Sequence, residues 1–306
     1  MKFKTVFNLL YIGIFSLAIN TVNAADIFTD SFETGDFSAT NAQGFKWTTK
    51  IRTGIVNETH QTHNADGPVD LTKANATSHP GGDWTPHSGK YSMRFPYPKG
   101  EPWTEQRFDF GTPMKDVWIR FWLRVPINFA YGPTRSPNKL FSMWSDGYSG
   151  KGDGSTVWLG MLRIYGTTDS SFAHSYSDGG YKTSGGYKQE KVFATSKDRG
   201  RWMHLVLHFK TESSPGASDG IMQTFRRWQD ETNYVKEQEQ LNVPLRLPSD
   251  GKTNGFKAGY LIGWANAFYV EDTEWLMDDF VISDSSPMSK LTKLPNAPTD
   301  HVATGK

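Results

Sequence analysis

Two tryptophans and two arginines alternate within residues 117–125, as Trp118, Arg120, Trp122 and Arg124. Indoles stack on the apolar faces of sugar rings, and guanidiniums pair in bidentate fashion with carboxylates or sulfates. Together they are equipment for gripping an acidic polysaccharide. Cleaving such a chain at a uronic acid by β-elimination needs two further things. A cationic or amide group must neutralise the carboxylate, which acidifies the C5 proton. A Tyr, His or Lys must remove that proton and protonate the leaving oxygen. Arg120 and Arg124 are the candidates for the first task; His204, His208 and Tyr260 are the candidates for the second. Trp118, Trp122, Lys139, Trp144, Arg163, Tyr165 and Lys257 are the candidates for holding substrate.

Elements of one kind must position these residues. Val117, Ile119, Phe121, Leu123 and Val125 occupy the other parity of the organising stretch. A period of two means a β-strand with one core face. Its other face is either the floor of a glycan groove or a surface covered by protein, with the arginines in structural ion pairs. Arg201–Lys210 alternates in the same way, with Met203, Leu205, Leu207 and Phe209 inward and Trp202, His204, Val206 and His208 opposite. A packing role for His204 is the plainer alternative. Trp103–Phe110, Asn138–Asp146 and Thr156–Tyr165 read as further strands. Residues 178–188 repeat Gly-Gly-Tyr-Lys, so that Tyr181, Lys182, Tyr187 and Lys188 add stacking groups and charge. The repeat is either a flexible flap over an anionic chain or an exposed hairpin loop.

The chain has 306 residues with 29 Gly and 16 Pro, which suits one large all-β domain. Residues 1–24 read as a secretory signal: Lys2 and Lys4, an apolar run from Val6 to Ile19, then Val22-Asn23-Ala24 before the cut. Cleavage implies a secreted or periplasmic monomer with no membrane attachment, its domain spanning 25–285 and a tail 286–306. The formal charge of +1 becomes −1 without Lys2 and Lys4, so no global field gathers nucleic acid. There is no Cys, which rules out disulfides and cysteine metal sites. His60, His63, His79 and His87 lack the tight spacing of a zinc site. The Gly-rich stretch 148–155 lacks the lysine-serine end of a phosphate loop.

Asp30-Ser-Phe-Glu-Thr-Gly-Asp-Phe37 and Trp275-Leu-Met-Asp-Asp-Phe-Val-Ile-Ser283 resemble the first and last strands of the concanavalin A-like jelly rolls, as His87-Ser-Gly-Lys-Tyr-Ser92 resembles one of their inner strands. That resemblance implies an all-β jelly-roll sandwich of two antiparallel sheets with a concave groove, its first and last strands paired. It also implies that Met222–Gln229 is a strand, although residues 221–240 carry helix-forming Glu, Gln and Arg. In that superfamily an acidic residue near the paired strands often holds a structural Ca²⁺, and Glu33, Asp278 and Asp279 are the matching positions. The alternative is an Asp that hydrogen-bonds a neighbouring turn. Phe256-Lys257-Ala258-Gly259 is similar to the Tyr-Phe-Lys-Ala-Gly-Val-Tyr motif of the family 7 alginate lyases. It departs where the catalytic Tyr of that motif falls on Leu261, with Tyr260 one place earlier. Three functions follow. The leading one is a lyase acting on a uronate polysaccharide with no cofactor for the chemistry. A non-catalytic lectin-like module is the second. A glycoside hydrolase is the third, and it lacks the paired-carboxylate Glu-x-Asp-x-x-Glu spacing.

Overall fold

The computed structural model describes residues 25–57, 62–63, 84–129, 131–145, 156–177, 192–214, 216–245 and 255–291. Residues 1–24, Tyr181, Lys182, Tyr187, Lys188, the 148–155 stretch and the residues beyond 291 lie outside them. In chain order the strands are β1 (Asp26–Asp30), β2 (Lys46–Ile51), β3 (Gly54–Asn57), β4 (Thr62–His63), β5 (Tyr91–Tyr97), β6 (Glu105–Met114), β7 (Asp116–Arg124) and β8 (Asn138–Trp144). They continue as β9 (Thr156–Arg163), β10 (Ser170–Ser177), β11 (Val192–Ala194), β12 (Trp202–Lys210), β13 (Gly220–Trp228), β14 (Val235–Val243), β15 (Phe256–Ile262) and β16 (Thr273–Ser283). A single helical turn, α1 (Met288–Leu291), follows. Among the described residues no helix is long and apolar enough to cross a membrane.

The strands form two antiparallel sheets packed as a β-sandwich of the jelly-roll class. The first sheet runs β14-β13-β12-β7-β16-β5-β3-β4, with β1 also paired to β16. The second runs β11-β10-β9-β8-β15-β6-β2. The alternation read in β7 is realised: Val117, Ile119, Phe121 and Leu123 are fully buried between the sheets. Met203, Leu205, Leu207 and Phe209 of β12 lie beside them in the same core. Each such side chain contributes roughly 1.5–3 kcal/mol of burial.

The acidic turn after β1 is bound into this core. Phe32 takes a left-handed φ of 61°, held by its N–H donating to Asp30 Oδ1 at 2.8 Å. The other Asp30 oxygen accepts the Trp47 indole N–H at 2.7 Å. Phe28 stacks on Phe45 at 3.7 Å and meets Phe280 of β16 at 6.2 Å. The first and last strands are therefore joined by an aromatic cluster as well as by the ladder.

Residues 222–228 belong to a strand and not a helix, since β13 pairs with both β12 and β14. β10 and β14 were not anticipated. In β15, Gly259 points inward, where an added Cβ would lie 2.5 Å from the Phe108 ring. Leu261 is also in the core; Tyr260 has the opposite parity, away from the sandwich interior, and is itself 1% exposed.

Candidate functional site

The residues singled out in the sequence fall on opposite faces of the sandwich. The outward face of the first sheet carries the Trp and Arg side chains of β7. In register, Trp118 lies opposite His208 and Ser283, and Arg120 opposite Val206 and Val281. Trp122 lies opposite His204 and Asp278, and Arg124 opposite Trp202 and Leu276. Each makes contacts within the protein. Trp118 stacks on His208 at 3.9 Å. His208 Nε2 is 2.9 Å from Asp116 Oδ1, and its Nδ1 is 2.9 Å from Gln223. Arg120 grips both oxygens of Asp26, at 2.9 and 2.8 Å, and also reaches Ser283. Arg124 donates to the carbonyl of Gly200 at 3.1 Å and is 7% exposed. Trp122 stacks with His87 at 3.8 Å and with His204 at 4.8 Å.

His204 Nδ1 also meets the Tyr234 hydroxyl in a short hydrogen bond. Burial, with Arg227, Arg120 and His87 nearby, pushes the His204 imidazole down to about 3. The ring is therefore neutral at ordinary pH. Tyr234 is held protonated by burial, against an opposing hydrogen bond from Arg227.

The three carboxylates matched to Ca²⁺ serve one turn. Glu33 Oε1 accepts the N–H groups of Lys90 and Tyr91 at 2.9 and 3.0 Å. Asp278 Oδ2 accepts those of His87 and Ser88, both at 3.0 Å, and Oδ1 that of Asp279. Burial and the neighbouring Asp279 charge push Asp278 up to about 8, against those hydrogen bonds. His87, Asp278 and Asp279 place donor atoms within 4.8 Å of one another. Calcium favours oxygen donors alone, so an imidazole in this group departs from the expected set. Glu33 and Asp279 also line a cavity of about 390 Å³ between β1 and β16.

The outward face of the second sheet is built differently. Tyr260 lies opposite Arg107 of β6 and Ser142 of β8. Arg107 is ion-paired to the buried Glu105 at 2.5 Å. Glu105 also accepts the indole N–H of Trp103 at 3.2 Å. Trp103 and Trp264 form a pair with centroids 5.9 Å apart, Trp264 being 39% exposed. Trp144 lies 5.9 Å from Tyr260.

Lys139 shares this face, opposite Gly160 of β9, where an added Cβ would lie 2.9 Å from the Trp158 ring. It is half-buried. Burial lowers its pKa, and the Glu105 charge opposes that shift. Among the described residues its ammonium makes no hydrogen bond or ion pair. Lys257 donates to Gly111 O at 2.7 Å and lies 3.3 Å from Asp109. The second face thus joins an orienting carboxylate, a guanidinium, an amine, a phenol and four indoles counting Trp158.

No protein-family model matches the chain, and no curated protein matches it in sequence. Among solved structures it is similar to a mutant alginate lyase in complex with an alginate tetrasaccharide. That pair shares 14% identity over 76% of this chain and 97% of the other, with a TM-score of 0.48. A marine alginate lyase from Aplysia kurodai is similar at 13% identity, over 64% of this chain and 84% of that one, with a TM-score of 0.48. An endo-β-1,4-glucuronan lyase from the fungus Trichoderma reesei is similar at 10% identity, over 85% and 96%, with a TM-score of 0.44.

The sequence candidates therefore divide. Trp118, Arg120, Trp122, Arg124, His204 and His208 share the first sheet; Lys139, Trp144, Lys257 and Tyr260 share the second. Arg163 joins neither group, since it braces a turn through the carbonyls of Thr167 and Pro133. Tyr165 stands on that turn, 89% exposed. Sequence reasoning missed the Arg107–Glu105 pair, Trp103 and Trp264 as site residues. The alternation of Trp103–Phe110 had already put Trp103, Glu105 and Arg107 on one parity. Tyr234, Arg227 and the contact of His87 with Trp122 gave no sequence signal.

Proposed function

We propose that this chain is an exported lyase that cleaves a uronate-containing polysaccharide on the outward face of the second sheet. The single observation that carries the reading is Lys139. It is a half-buried amine of lowered pKa with no partner among the described residues, on the face that holds Arg107 and Tyr260. β-Elimination needs a cation at the uronate carboxylate, a base at C5 and an acid at the leaving oxygen. Arg107, fixed through Nε by Glu105, meets the carboxylate. Lys139, in its neutral form, takes the C5 proton. The C4–O bond breaks as the C4=C5 bond forms, and the Tyr260 hydroxyl protonates the departing oxygen. Trp103 and Trp264 stack against flanking sugars.

The test is incubation with alginate, glucuronan, ulvan and heparin-type glycans while following the ultraviolet absorbance of unsaturated uronate ends. Lys139→Ala and Tyr260→Phe should each lower the rate about 10²–10⁴-fold with the fold intact. Full activity in Lys139→Ala removes the reading. A second reading is favoured by the exposed Trp103–Trp264 pair alone: a binding module, which would be retarded in a polyuronate gel and yield no product.

A further inference from the structure

The cluster around Arg227 on the first sheet takes no part in that chemistry. Arg227 stands at the end of a cross-strand row, Asp278–Trp122–His204–Arg227, through β16, β7, β12 and β13. Its guanidinium lies 5.3 Å over the Trp122 ring and 5.4 Å over the Tyr234 ring. Nη1 donates to the carbonyl of Glu231 at 2.9 Å. Nε is buried and donates to nothing. The other permanent cation nearby, Arg120, is matched by Asp26, and His87 lies 3.4 Å from Asp279. Arg227 has no carboxylate partner among the described residues. A half-buried guanidinium with no carboxylate beside it is equipped to pair with an incoming one.

We propose that this cluster is a second glycan-binding site, which receives the carboxylate of a uronate residue of the polysaccharide. It rests on the lyase reading only for the identity of that ligand. The indole of Trp122 is already stacked by His87 and His204, so recognition here is ionic and not by stacking. Arg227 meets the carboxylate. The phenol of Tyr234 accepts from Arg227 and donates to His204 Nδ1, which leaves the His204 proton on Nε2. The Arg227 end of the row, away from Asp278, therefore offers N–H donors to an incoming anion. A chain held here lies on the reverse of the sandwich from Lys139. The site tethers the protein to polymer without occupying the cleavage face.

The experiment is titration of the full-length chain carrying Lys139→Ala and Tyr260→Phe with polyglucuronate, so that binding is read without cleavage. Two classes of site are expected. Arg227→Ala should weaken one of them about tenfold or more and leave the other unchanged. Trp103→Ala with Trp264→Ala should do the converse. Arg227→Lys serves if the alanine variant fails to fold, and should weaken the same class of site, since an ammonium does not reproduce the guanidinium's donor geometry. The imidazole nitrogen resonances of His204 should shift when a uronate tetrasaccharide is added. A single class of site, or binding unaltered in a folded Arg227 variant, overturns the proposal. Equal binding of dextran sulfate at this site also overturns it, because the ligand is then any polyanion. Arg227-dependent binding without cleavage by the unmodified chain would remove the lyase reading and leave this one standing.

Discussion

Two histidines make acid the agent that should unfold this protein. His174 on β10 is fully buried between the sheets, where its Nε2 lies 3.1 Å from the Thr224 hydroxyl of β13. Its Nδ1 has no partner. Burial alone pushes it from 6.5 down to about 3. His204 is pushed equally far, by burial and neighbouring cations. Both rings stay neutral in the folded chain, while the unfolded chain binds a proton at each as pH falls below 6.5. Stability is therefore fully present above that value and is lost progressively as pH falls from there towards 3. A pKa unit corresponds to about 1.4 kcal/mol, so acidifying from about pH 7 to about pH 4.5 should cost roughly 3 kcal/mol for each histidine. The assay is urea denaturation at both pH values. Asp278, raised to about 8, works the other way and gains stability on acidification, so the expected effect is a difference: His174→Gln should lose roughly 3 kcal/mol less than the parent between the two pH values. If the variant and the parent lose the same amount, His174 does not stay neutral in the folded state, and the argument from burial fails.

Glu274 pairs with the buried Arg94 and accepts the Trp84 indole N–H at 2.8 Å. Glu274→Ala should destabilise by about 3–5 kcal/mol, because it leaves a guanidinium buried without a counter-charge. Replacing the pair together, Arg94→Met with Glu274→Leu, should cost much less in the same denaturant titration. Gly111 has a φ of 74°, and a Cβ there would overlap the carbonyl of Gln43. Gly111→Ala should lower the denaturation midpoint by the equivalent of about 1–3 kcal/mol, whereas Gly100→Ala, with nothing near its Cβ, should lose less.

The strands were legible because their periodicity is local. Val117–Val125 was read as a strand and Asp116–Arg124 is one; Arg201–Lys210 was read and Trp202–Lys210 is found. β14 escaped because Val235–Val243 is rich in Glu, Gln and Lys and has little apolar alternation. It lies at the edge of the first sheet, where among the described residues one side of the strand pairs with no other strand. β10 escaped because its apolar parity is diluted by serines and by the buried His174. The faces were harder to assign than the strands. Alternation shows that Trp122 and Tyr260 point away from the core, but not which sheet each joins. That depends on pairing between segments more than a hundred residues apart. His87 reaches Trp122 from a turn that Asp278 and Glu33 hold in place. Lys139 and Arg107 share a surface because β15, the last strand of the second sheet in chain order, inserts between β8 and β6.

The same late arrival governs the first sheet. β16 lies between β7 and β5, with β1 also on its edge. The middle of the sheet is thus supplied by the last of the described strands in chain order. Until residue 283 has emerged, β7 and β5 each present a raw hydrogen-bonding edge and the aromatic cluster around Phe280 has a hole. Synthesis must therefore pass Ser283 before the domain can close, and contacts so distant along the chain make that closure slow. A product cut short before Thr273 would carry two sticky borders in place of a seam, a template for aggregation and not a smaller working protein.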